Sequence, residues 1–78
     1  MPKMPRDVSG AELIKGLEKL GYQVTRRSSG SHVRLQNGSH VITVPDHQIL
    51  KIGTLNAILL EVAMAMNKNK IEIIGMMF

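Results

Sequence analysis

Ser31–Val44, "SHVRLQNGSHVITV", decides the fold. In its first half Ser31, Val33 and Leu35 alternate with His32, Arg34 and Gln36, the period of a strand with one apolar and one polar face. Asn37–Gly38 is a strong hairpin signal, because the favoured two-residue turn needs positive φ at both central positions. "HVITV" returns as the next strand and ends at Pro45, which cannot donate to a ladder. Upstream, "YQVTRR" (22–27) alternates too, with Tyr22 and Val24 on one face and Gln23 and Thr25 on the other. "SSG" (28–30) supplies the turn between these two strands.

Helical patterns flank the three strands. In "VSGAELIKGLEKLG" (8–21), Ser9 and Glu12 fit a capping box, and Val8 with Leu13 fits a hydrophobic staple. Leu13, Ile14, Leu17 and Leu20 form one apolar stripe, and Gly21 supplies a left-handed stop. Gly16 interrupts this helix at a cost of about 1 kcal/mol relative to alanine, which close packing against another element would explain. After the connecting loop "PDHQILKIG", the segment "TLNAILLEVAMAM" (54–66) repeats Leu55, Ile58, Leu59, Val62, Ala63 and Met66 at helical spacing, with Gly53 or Thr54 near its cap. Met64 and Met66 read as helix packing rather than as a soft binding face. "NKNK" breaks the helix, and the tail "IEIIGMMF" is apolar, β-prone and almost uncharged, so a fourth strand is one expectation for it. Met1–Asp7, with Pro2 and Pro5, reads as an extended arm. The expected architecture is α+β: an α-β-β-β-α chain with a three-stranded antiparallel sheet, two helices on one face, and an extra C-terminal strand as an option. This is the arrangement of double-stranded-RNA-binding domains.

Ten Lys and Arg against six Asp and Glu give the 78 residues a net charge of +4, which favours a polyanion or an acidic protein as partner. Tyr22 and Phe78 are the only aromatic residues besides histidine, so a base-stacking platform is not expected. There is no cysteine, hence no disulfide and no thiolate metal cluster. No apolar run approaches the length of a membrane helix, and "MPKMPRDVSG" lacks the apolar centre of a signal peptide, so a cytoplasmic location is expected.

A histidine is more often solvated or structural than reactive, but His32 stands out. Alternation puts it on the uncovered face, Arg26, Arg27 and Arg34 flank it, Lys51 is a further candidate neighbour, and it follows a Gly30–Ser31 corner whose backbone N–H groups could meet an anion. Metal-free RNA cleavage suits such a place. The ribose 2′-hydroxyl must lose a proton to attack its own phosphate and the 5′-oxygen must gain one to leave; imidazole, with an ordinary pKa of about 6.5, can do either. Cationic side chains stabilise the charge that develops on the phosphoryl oxygens. His32, His40 and His47 lie seven or eight residues apart without a carboxylate cluster, a spacing that does not suit a metal site, and no cofactor is expected. His40 reads as a solvated edge residue; His47, in the Pro-Asp-His loop, either braces that loop or assists at the substrate.

The G-S-H triplet at Gly30–His32, the T-V-P-x-H run at Thr43–His47 and the L-x-x-G-T-L-x-x-I-L run at Leu50–Leu59 resemble the HicA toxin family in order and spacing over roughly Ser9–Met66. That resemblance implies a double-stranded-RNA-binding-domain-like toxin of a toxin–antitoxin pair that cleaves mRNA. It makes His32 the catalytic histidine, and it implies a HicB-like antitoxin that covers the active site. Residues 1–66 are then the HicA-like domain with a short arm, and residues 67–78 an appended tail that could pair as a strand, swap between chains or help hold the antitoxin. The family often has a second histidine after G-S-H; here it is Val33, on the covered face by alternation. The main expectation is therefore a metal-independent endoribonuclease acting on mRNA. In it His32 is general acid or base, Arg26, Arg27, Arg34 and Lys51 bind phosphate, Gly30 and Ser31 shape the corner, and His47 is an accessory group. A non-catalytic RNA-binding module of the same fold and a purely protein-binding domain are the alternatives.

Overall fold

The computed structural model describes residues 7–27 and 31–78; the N-terminal arm as far as Arg6 and the "SSG" turn, with Gly30, lie outside the described residues. Helix α1 is Gly10–Lys19. The capping box forms at its start: the Ser9 hydroxyl accepts from the Glu12 N–H at 3.0 Å, and the Ser9 N–H donates back to the Glu12 carboxylate at 3.2 Å. At its end Gly21 turns left-handed, with φ 102°. Its N–H then reaches the Glu18 carbonyl and the Tyr22 N–H reaches the Leu17 carbonyl, each at 3.1 Å, which satisfies two of the carbonyls that a helix end leaves open.

Strands β1 (Gln23–Arg27), β2 (His32–Asn37) and β3 (His40–Pro45) form an antiparallel sheet in the order β1-β2-β3. The register pairs Val33 with Val44 and Leu35 with Ile42, and all four are buried. Arg34 pairs with Thr43 on the opposite, exposed face. Thus one face carries the core and the other faces water, as the alternation in "SHVRLQ" predicts. Helix α2 is Ile52–Ala65. It begins earlier than the Gly53–Thr54 cap predicted from sequence, with Lys51 as N-cap and no side-chain cap hydrogen bond. The first turn of any helix lacks intrahelical acceptors for its N–H groups, so the boundary depends on how Leu50 is anchored rather than on a capping side chain. Leu50 is buried, and its N–H donates to the Val8 carbonyl at 2.8 Å.

The tail is not a strand. Asn67 adopts φ 55° and reverses the chain, the Asn67 and Lys68 N–H groups closing α2 onto the carbonyls of Met64 and Ala63. Helix α3 (Lys70–Met77) follows, opened by a second capping box in which Asn69 accepts from the Glu72 N–H at 2.8 Å. Ile73, Ile74 and Met77 are buried in the same core as Leu17 and Leu59. α3 packs against both α1 and α2, so three helices, not two, make up the helical layer. This accounts for Gly16: a Cβ there would stand 2.9 Å from the Met77 Cβ, so only glycine lets α1 and α3 approach this closely. Met64, expected in packing, is 82% exposed, whereas Met66 rests against the core. The helical stripe of α2 is filled by Leu55, Ile58, Leu59 and Val62, which leaves Met64 on the outer side.

Candidate functional site

The open face of the sheet is built by β2 and its two neighbours. His32, Arg34 and Gln36 share that face with their register partners Pro45, Thr43 and Val41 on β3. On β1 the pairing shifts between Val24 and Arg26, with Thr25 as the extra residue of a bulge whose hydroxyl donates to the Arg34 carbonyl at 3.3 Å. The bulge changes the faces. Continued alternation from Val24 would put Arg26 beneath the helices and Arg27 in the open; the shift instead sets Arg26 opposite Arg34 and Arg27 opposite the buried Val33. Arg26 therefore stands with Arg34 and His32 on one face. Arg27 leaves from the other, exposed at the sheet edge.

Arg26 and Arg34 face each other directly, and among the described residues neither forms a salt bridge. Like charges in such a cross-strand pair repel, which makes this the place on the face where an anion is most favoured. His32 is exposed two residues before Arg34.

At the His32 end of the sheet a second group converges. The Asp46 N–H donates to the Ser31 carbonyl, and His47 Nε2 lies 3.4 Å from Ser31 Oγ. His47 is exposed, and its own carbonyl accepts from the Gly10 N–H at 2.8 Å. The "PDH" loop is thus tied to the start of β2 on one side and to the start of α1 on the other. Lys51 is exposed at the N-cap of α2, and among the described residues no hydrogen bond or ion pair joins it to this group. Gly10 is the participant that sequence reasoning does not single out, since nothing in "VSGAEL" indicates which loop it will touch.

His40 is not a solvated edge residue. It is half-buried, with Nδ1 2.7 Å from the Tyr22 hydroxyl and Nε2 3.6 Å from a Glu61 carboxylate oxygen. Its ring meets the Tyr22 ring edge-on at 5.7 Å between centroids. By parity it lies with Ile42 and Val44 on the helix side, where Tyr22 and Glu61 from distant segments reach it. Burial, and secondarily the Glu61 carboxylate, pushes the Tyr22 hydroxyl pKa above its usual value. Among the described residues no group of three or more His, Cys, Asp or Glu gathers as a metal ion would need.

A three-stranded sheet with one polar, arginine-bearing face and a helical layer behind it, in the order α-β-β-β-α with one further helix, defines a double-stranded-RNA-binding-domain-like α+β protein. The family model described as the HicA toxin of bacterial toxin–antitoxin matches residues 10–64, and the chain belongs to that family. It is accordingly a toxin-family protein for which an antitoxin partner is implied; α3 lies outside the matched residues. Searches of curated proteins and of solved structures return no match. No described helix is long and apolar enough to cross a membrane.

Proposed function

We propose that this chain is the RNA-cleaving toxin of a toxin–antitoxin pair, an endoribonuclease that acts on mRNA in the cytoplasm without a metal ion. The observation that carries this reading is the company His32 keeps. In a chain of the HicA toxin family, an exposed imidazole shares the open sheet face with the opposed pair Arg26 and Arg34. A phosphodiester laid over the two guanidiniums brings its ribose toward His32. His32 moves a proton at the 2′-oxygen or the 5′-oxygen while the arginines stabilise the pentavalent phosphate. The expected products carry a 2′,3′-cyclic phosphate and a 5′-hydroxyl, and DNA, without a 2′-hydroxyl, is not cut. Arg27 and Lys51 contribute from outside this face, as long-range attraction for the polyanion. The antitoxin acts by covering the same face.

His32→Ala in antitoxin-free protein is expected to lose RNA cleavage and growth arrest while still melting cooperatively, because the side chain is exposed and stands outside the hydrophobic core. Cleavage by the wild type is expected to persist in EDTA. Unchanged cleavage by the variant would remove His32 from the mechanism, and intact RNA after long incubation with wild type would leave only a binding module.

A further inference from the structure

Cleavage through the 2′-oxygen needs two proton transfers on opposite sides of phosphorus, because the attacking and leaving oxygens lie roughly in line. One imidazole serves one of them. The loop at the end of the sheet holds a second. The Gly10 backbone is pressed against that loop: a Cβ there would run into the Pro45 carbonyl oxygen and would lie 2.7 Å from the Asp46 Cα. The Asp46 N–H is bound to the Ser31 carbonyl and the His47 carbonyl to the Gly10 N–H. The frame leaves the His47 side chain exposed, with Nε2 against the Ser31 hydroxyl at 3.4 Å, a long contact that orients the ring and that a substrate can replace. Ser31 is the chain neighbour of His32, and the cross-strand partner of His32 is Pro45, two residues before His47. His32 opens β2 and His47 lies two residues past the strand partner of His32, so the two histidines belong to different elements at the same end of the sheet.

Resting on the ribonuclease reading above, we propose that His47 is the second acid–base catalyst of the reaction. One imidazole takes the 2′-hydroxyl proton as the bond from the 2′-oxygen to phosphorus forms. The other, as imidazolium, gives its proton to the 5′-oxygen as the bond from phosphorus to that oxygen breaks. The pair ends with its protonation states exchanged, and proton exchange with water restores them. Ser31 is the polar side chain in contact with His47, Asp46 and Gln48 are its chain neighbours, and the Gly10 N–H holds its backbone.

The test uses the full chain and an RNA whose cleavage site is mapped with wild type, made once with the normal 5′-oxygen and once with a bridging 5′-sulfur, which departs without needing a proton. His47→Ala and His47→Gln are both expected to lose about 10²–10⁴-fold in kcat with KM little changed. Glutamine can keep a hydrogen bond to Ser31 but cannot shuttle a proton. On the sulfur substrate one of His32→Ala and His47→Ala is expected to recover toward the wild-type rate while the other stays slow, which assigns acid and base. Wild-type cleavage by His47→Gln makes the residue a brace and overturns the proposal, as does failure of both alanine variants to respond to sulfur. Folded wild-type protein that cuts no RNA overturns the ribonuclease reading itself, a separate result.

Discussion

At the scale of single residues, the contrast between His32, His40 and His47 shows how one side-chain type is put to different uses by its surroundings. His40 sits between Tyr22 and Glu61 on the covered side and ties the α1–β1 connection, β3 and α2 together. Tyr22→Phe removes the hydroxyl partner of His40, and a loss of about 1 kcal/mol at neutral pH is expected from urea titrations. The pH dependence has a definite direction. Because the Tyr22 pKa is raised in the folded protein, its contribution is fully present below the unfolded value of about 10 and disappears as pH climbs through the folded value. The stability difference between wild type and Tyr22→Phe should therefore shrink above about pH 10; a difference constant from neutral to strongly alkaline pH would contradict the burial argument. The exposure of His32 was legible from alternation alone, since parity within β2 is local. The surroundings of His40 were not legible: its partners are eighteen residues upstream and twenty-one downstream, and only the packed fold brings them together.

At the scale of elements, the sheet and first helix were readable because each carries redundant local signals: alternation, an Asn-Gly turn, a capping box and a left-handed glycine. The helical state of α3 is not legible in its apolar run, for physical reasons. "IEIIGMM" is rich in β-branched residues, and over eight residues an apolar run suits a strand or a buried helix equally. The deciding signal was present in Asn69 and Glu72, spaced as a capping box just before the run. The bulge at Thr25 left no signal at all, because a bulge exists only in the pairing of two strands, and it alone decides that Arg26 rather than Arg27 joins His32. The α1–α3 contact offers a direct check. Helix propensity alone says that Gly16→Ala stabilises by about 1 kcal/mol. The collision with the Met77 Cβ should reverse the sign, since overpacking costs about 1–3 kcal/mol. A denaturation midpoint above that of wild type would show that α3 yields readily.

At the scale of the whole molecule, the question is what a chain of 78 residues without disulfides relies on for stability. α3 is a large part of the answer. Ile73, Ile74 and Met77 are buried by about 95% or more, and burying each such side chain stabilises by about 1.5–3 kcal/mol, so the helix contributes an amount comparable to the total stability of a small domain, about 5–15 kcal/mol. Removing residues 67–78 is expected to leave a chain with strongly reduced helical circular dichroism and no cooperative melt, although the residues matched by the family remain. A truncated protein that melts cooperatively near the wild-type temperature would show that α1, α2 and the sheet suffice. The same layer explains why the arginine-bearing face can be left to water: the three helices cover the other side of the sheet, where Val33, Leu35, Ile42 and Val44 are buried.

The fastening of the "PDH" loop between Gly10 and Ser31 has a consequence for how substrate would be received. A loop already tied to a helix and a strand has given up its freedom during folding, before any RNA arrives. The entropy lost in arranging His47 beside Ser31 belongs to the stability of the native state, so little of it is left to weaken association. An inhibitor shaped to this corner would benefit equally, meeting a surface that needs no rearrangement to be gripped.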